Sequence, residues 1–171
     1  LKNFSKKKKI NFLVTACDIE TIPWLEKKIN LESYKVGSSD TNNYQLLKRI
    51  LKTKKPIYLS TGMCDLDMVK KSVDYILNNG CKKLTVMQCT SSYPASYDIL
   101  NVGVISLYKT LFGDKCKIGY SDHSKNELSA IVALGAGAVV FEKHFTLDHN
   151  LPGVDQIASS DPKEFKHYVN S

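Results

Sequence analysis

The sequence predicts an α/β protein built as an incomplete (β/α)8 barrel (TIM barrel), with about six of the eight βα units present and the two N-terminal ones missing. Three observations predict it. Short β-branched or apolar runs recur every 20–30 residues or so, with helical stretches between them, which is the pattern of parallel βαβ units. Most of these runs are apolar on both faces, as parallel strands covered by helices are. Five of the six runs end in a polar cluster. A doubly wound sheet gathers its chemistry at one switch point, whereas a barrel brings every strand's C-terminal end to one mouth. Polar ends spread over five strands favour the barrel.

In chain order the expected strands cover residues 10–15, 34–38, 56–61, 84–90, 117–121 and 138–144. Among the segments between them, 65–78 has the clearest helical period, with Met68, Val69, Val73, Ile76 and Leu77 on one stripe. The Ala- and Leu-rich stretch 127–134 is a second helix. Barrel units thus run from about residue 10 to 169, one partial catalytic domain spanning 1–171. The opening Leu1-Lys2-Asn3 has neither an initiator Met nor a signal-like stretch, so the two absent units are expected at the N-terminus. Trp24 and the phenylalanines read as packing residues, and His149 and His167 as surface residues.

Composition excludes several classes of function. The net charge of +7 comes largely from lysines, including Lys6-Lys7-Lys8-Lys9, and there is almost no arginine. No aromatic-basic alternation offers a stacking platform, so the reading is a solvated basic surface and no nucleic-acid partner. No apolar run approaches the ~20 residues a membrane span needs. The five cysteines (Cys17, Cys64, Cys81, Cys89, Cys116) include no CxxC pair, which suits reduced, mostly buried thiols in a cytoplasmic protein.

The chemistry is expected at the strand ends. His123 and His144 close consecutive strands, and adjacent strands run about 4.8 Å apart, so the two imidazoles could share one ion. Parity agrees: Ser121 shares a face with His123, and Glu142 with His144. Two imidazoles with open positions suit Mn, Fe, Co or Zn better than Mg. There is no GxGxxG and no P-loop. Instead Thr15, Lys35, Ser38, Ser60, Thr61, Thr90 and Tyr93 are dispersed over several strand ends, a ring able to hold phosphate and carboxylate. Lys35 stands out because an inward lysine at a barrel mouth is costly without an anion. Asp155, in Leu151-Pro152-Gly153-Val154-Asp155, reads on its own as a turn residue.

Five segments resemble the bacterial sialic acid synthase family, which includes legionaminic and pseudaminic acid synthases. They are Tyr34-Lys35-Val36-Gly37-Ser38, Leu59-Ser60-Thr61-Gly62-Met63, Gln88-Cys89-Thr90-Ser91-Ser92-Tyr93-Pro94, Gly119-Tyr120-Ser121-Asp122-His123 and Phe141-Glu142-Lys143-His144-Phe145-Thr146. They follow the family's order and spacing from about Ile10 to Val169. The resemblance implies condensation of phosphoenolpyruvate with an N-acylated hexosamine aldehyde such as N-acetylmannosamine, with phosphate leaving by C–O cleavage. It implies that His123 and His144 hold a divalent metal, usually Mn(2+) or Mg(2+). Lys35, Ser38, Thr15, Ser60, Ser121 and Tyr93 would surround phosphoenolpyruvate, with Asp155 and the metal addressing the sugar. Lys35 would hold the anions against the aldehyde, and Ser91 would stand where several members carry an amide. Val154 replaces a common proline, and Gln88 stands where many members have His. The resemblance further implies a full-length homodimer, and it marks as absent here two N-terminal strands and a C-terminal antifreeze-like domain. The 171-residue piece alone is therefore expected to be inactive. Which amino sugar is used, N-acetylmannosamine, its 6-phosphate or a legionaminic or pseudaminic acid precursor, is left open. Two other readings stay open: a truncated, non-catalytic paralogue that keeps the fold, and another metal-dependent barrel synthase or aldolase.

Overall fold

The computed structural model describes residues 1–171, which form two compact units, Leu1–Val86 and Met87–Ser171. The architecture is α/β. After a short helix α1 (Lys2–Lys7), six strands alternate with helices: β1 (Val14–Thr15), α2 (Thr21–Trp24), β2 (Tyr34–Val36), α3 (Tyr44–Leu51), β3 (Ile57–Ser60), α4 (Leu66–Asn78), β4 (Leu84–Cys89), α5 (Val104–Phe112), β5 (Lys117–Asp122), α6 (Leu128–Ala136), β6 (Val140–Lys143) and α7 (Pro162–Asn170). Each expected strand is present. No helix is long and apolar enough to cross a membrane.

In the first unit, β1 pairs with β2 and β2 with β3, both parallel, with Lys35 in register between Thr15 and Tyr58. Strand β2 is buried at every position, Lys35 included. Helix α3 is capped by Asn43, whose Oδ1 accepts from Leu46 N at 3.2 Å, and it buries Leu46, Leu47 and Ile50. Helix α4 starts where Asp65 Oδ1 accepts from Met68 N at 2.8 Å. Val69, Val73 and Ile76 are fully buried at helical spacing, with Ser72 beside them. Met68 is a correction: it lies in the first turn of α4 and is 39% exposed, off the buried stripe.

Three further expectations need correction. Strand β1 keeps only Val14–Thr15 of the six residues anticipated, and Ile10 and Leu13 are exposed, because β1 has a ladder on one side only. Trp24 is 55% exposed: α2 runs on directly into a π-helical segment, Leu25–Ile29, and the side chains buried along this stretch are Ile22 and Leu25. Phe4 and Phe145 are likewise exposed, while Phe112 is buried.

In the second unit, β5 and β6 are parallel, with Ser121 opposite Glu142 and Asp122 opposite Lys143. Gly119 opens this pairing. A Cβ there would lie 3.0 Å from Met87 Cγ and 3.0 Å from the Val140 carbonyl oxygen, so the close approach needs glycine. Helix α6 ends at Gly137, whose φ of 108° lies in the left-handed region glycine tolerates. Helix α7 opens with a capping box: Asp161 Oδ1 accepts from Lys163 N and Glu164 N, and Glu164 Oε2 accepts from Asp161 N. All five cysteines are free thiols, but only Cys89 and Cys116 are buried, fewer than expected.

Candidate functional site

The second unit brings the predicted histidines together. His123 and His144 follow directly after β5 and β6, and their ring centroids are 5.2 Å apart at 73°. Tyr93 completes a three-ring cluster, 4.1 Å from His123 and 5.3 Å from His144. Strand register explains the meeting. With Ser121 opposite Glu142, the next same-face positions on the two strands are the two histidines. Ser121 Oγ donates to Glu142 Oε2 at 2.6 Å and lies 3.5 Å from His123 Nε2. Strand parity therefore describes this face correctly.

His123 is almost wholly buried. Its Nδ1 lies 2.6 Å from the Thr90 carbonyl oxygen, which can only accept, so Nδ1 carries the proton and Nε2 the free lone pair. Burial, reinforced by His144 alongside, pushes the His123 imidazole below the usual histidine range, against opposing pulls from Thr90, Glu142 and Asp122. Cys89 Sγ is 3.8 Å from the same Nδ1. The backbone is tied as well: Ala95 N donates to the His123 carbonyl at 2.9 Å, and Ser160 N to that of His144 at 2.9 Å. Burial raises the Tyr93 phenol above its ordinary range, and the carboxylates of Asp155 and Glu142 add to this.

On the opposite face of the same two strands lies a group that the sequence reading passed over. Asp122 and Lys143 form an ion pair at 3.2 Å with side chains 0% and 1% exposed. Asp122 Oδ1 also accepts from Ser124 N at 2.8 Å and Ser129 Oγ at 3.1 Å. Lys143 Nζ donates to the Ser124 carbonyl and stands 5.3 Å from the Tyr168 ring centroid. Its signal in the sequence is an opposite-charge pair at matching places in Ser121-Asp122-His123 and Glu142-Lys143-His144, legible only once the register is known.

Asp155 is exposed in the loop after β6, its Oδ2 3.9 Å from His144 Nδ1, beyond direct hydrogen-bond distance. It also serves the turn expected of it, its carbonyl accepting from Ser159 Oγ at 2.7 Å. Ser91 is exposed at the start of the loop that carries Tyr93. Gln88 is buried, with its Nε2 donating to the Leu100 carbonyl at 2.8 Å.

Of the predicted anion ligands, Thr15, Lys35, Ser38, Ser60 and Thr61 belong to the first unit, and Thr90, Tyr93 and Ser121 to the second. Lys35 is buried within β2, next to Thr15 in register, and Thr15 is exposed at the end of β1. Ser38 Oγ accepts from Gly62 N at 2.9 Å. Ser60 is buried, and its hydroxyl has no hydrogen-bond partner, an unusual state for a buried polar atom.

His123 and His144 fit a divalent ion. Two imidazoles bound to one ion through nitrogens at about 2.1 Å set their centroids roughly 4.7–5.4 Å apart, for right-angle to tetrahedral arrangements. The 5.2 Å found lies in that range. A ligating imidazole also needs its other nitrogen held, and the Thr90 carbonyl does this for His123.

The chain resembles known proteins over its whole length. The chain matches the NeuB family over residues 1–171. It is 38% identical to the N,N'-diacetyllegionaminic acid synthase of Campylobacter jejuni over 95% of this chain and 48% of that protein. Among solved structures, the spore coat polysaccharide biosynthesis protein SpsE of Bacillus subtilis superposes with a TM-score of 0.93 at 31% identity, over 99% of this chain and 47% of SpsE. The sialic acid synthetase of Leptospira borgpetersenii, solved with citrate, gives 0.92 at 32% identity, over 99% of this chain and 58% of that one. The chain spans about half the length of the curated relatives it matches.

Proposed function

The chain belongs to the NeuB family, and from that premise we propose that the protein carrying it condenses phosphoenolpyruvate with the open-chain aldehyde of an N-acylated hexosamine. The products are a sialic-acid-type nonulosonate and phosphate. The observation that carries this reading is the convergence of His123 and His144 at 5.2 Å, with the proton of His123 fixed on Nδ1 by Thr90. Carbon 3 of phosphoenolpyruvate forms the new bond to the aldehyde carbon. Water adds at carbon 2, the C2–O bond to phosphate breaks, and phosphate departs.

His123 and His144 would hold a divalent ion, manganese or magnesium, which when bound would supply Lewis-acid polarisation of the aldehyde oxygen. The chain's own residues do the rest. Lys35, with Thr15, Ser38 and Ser60, binds the carboxylate and phosphate through charge-assisted hydrogen bonds. Tyr93 walls the imidazole pair with its ring. Ser121 and Ser91 contribute hydroxyls to substrate, and Asp155 orients the sugar beside His144. Holding both reactants in place is the larger part of the rate gain.

The test is phosphate release by the full-length protein with Mn(2+), phosphoenolpyruvate carrying 18O in its bridging oxygen, and a panel of amino sugars. The panel contains N-acetylmannosamine, its 6-phosphate and the legionaminic and pseudaminic acid precursors. The expected result is release dependent on one of these sugars, with the label in the phosphate. Release independent of every aldehyde, or label left in the organic product, would contradict the proposal.

A further inference from the structure

The ion pair behind the histidines has a geometry that fold stability alone does not require. Asp122 immediately precedes His123, and Lys143 immediately precedes His144. The Lys143 ammonium contacts both Asp122 Oδ2 and the carbonyl of Ser124, so the residue before one imidazole grips the residues on both sides of the other. Ser124 is held a second and third time, by its N–H on Asp122 Oδ1 and by its hydroxyl 2.6 Å from Ser129 Oγ. A slip of β6 by one residue against β5 would turn His144 to the face opposite His123 and separate the pair.

We propose that Asp122 and Lys143 are positioning residues that set the spacing and ring orientation of the His123–His144 pair for a divalent cation. This deepens the metal reading above and rests on it. A buried ion pair is a weak source of net stability, because desolvation of both charges offsets their attraction. What it supplies here is a fixed register at the two strand ends that carry the imidazoles. The neighbouring groups fit the role: Ser129 anchors the carboxylate to α6, and the Tyr168 ring from α7 covers the ammonium.

The test uses Asp122→Asn/Lys143→Met in the full-length protein, which removes both charges and leaves neither stranded. Circular dichroism establishes that the variant folds. Isothermal titration with Mn(2+) then reads affinity, and 15N spectra of the metal-free protein read the His123 tautomer. The expected result is a Kd about tenfold to a hundredfold weaker, the usual cost of losing groups that orient metal ligands, together with loss of the single Nδ1–H form. An affinity within about twofold of the parent's overturns the proposal, since a purely structural pair would leave a folded variant's site intact. If the parent binds no Mn(2+), the metal reading fails by itself. The nitrogen spectra then decide: an unchanged tautomer in the double variant overturns the positioning role, and its loss sustains it. Should the double variant not fold, Ser129→Ala removes one hydroxyl from the network and is expected to weaken binding about threefold, with unchanged affinity overturning the proposal.

Discussion

Gly119→Ala measures how tightly β5 and β6 are pressed together below the histidines. The added methyl would sit 3.0 Å from Met87 Cγ, 3.3 Å from Met87 Cε and 3.0 Å from the Val140 carbonyl oxygen. Carbon pairs prefer about 3.5–4.0 Å, so the methyl intrudes by roughly half an ångström or more on Met87. Met87 is flexible and can yield. The Val140 carbonyl is backbone of β6 and can move only if the strand moves. Overpacking of this kind costs about 1–3 kcal/mol. Alanine recovers about 0.4–1 kcal/mol by restricting the unfolded chain. The net expectation is a loss of about 1–2 kcal/mol, read as a lower urea midpoint with an unchanged slope. Combining it with Met87→Ala should cost less than the sum of the two single changes, because the first clash is then gone. A Gly119→Ala protein as stable as the parent would refute the reasoning, since β6 would then have room that the geometry denies it.

Other expectations follow from individual residues. Because burial holds the His123 imidazole below its unfolded value of about 6.5, its contribution to stability is present above that pH and is lost as pH falls through the lower folded value. Urea midpoints of the metal-free protein should therefore drop between neutral and mildly acid pH, and His123→Asn should flatten that slope; an unchanged slope would contradict the assignment. Asp161→Ala removes the acceptor of the α7 capping box and should cost about 1 kcal/mol in the same unfolding assay, whereas no change would mean the box adds nothing. Tyr93→Phe keeps the ring beside both imidazoles and should leave Mn(2+) affinity unchanged, while Tyr93→Ala should weaken it. Equal affinities for these two variants would remove the ring from the site.

The strands were legible because parallel strands covered by helices are largely apolar, and most of the six runs carry that signal. Helix α4 was legible through Val69, Val73 and Ile76, whose spacing matches one helical face. Strand parity was enough to put Ser121 with His123 and Glu142 with His144. Other features depend on partners that local sequence cannot name. Trp24 looks like a core residue until the helical stretch of α2 and the π-helical segment after it proves to bury Ile22 and Leu25 instead. Residues 10–13 have strand composition but form no ladder. The roles of Asp122 and Lys143 appear only when the register sets them opposite each other, because either alone reads as a solvated charge. The Thr90 carbonyl that fixes the His123 proton is a backbone atom, which no side-chain motif reports.

The central claim is that His123 and His144 together ligate one divalent ion. Pulsed electron paramagnetic resonance of Mn(2+) bound to the full-length protein, with histidine nitrogens labelled with 15N, tests it directly. The account predicts hyperfine couplings from two imidazole nitrogens, reduced to one in His144→Ala and in His123→Ala. A bound Mn(2+) signal without histidine couplings, or two imidazole couplings persisting in either variant, would contradict it.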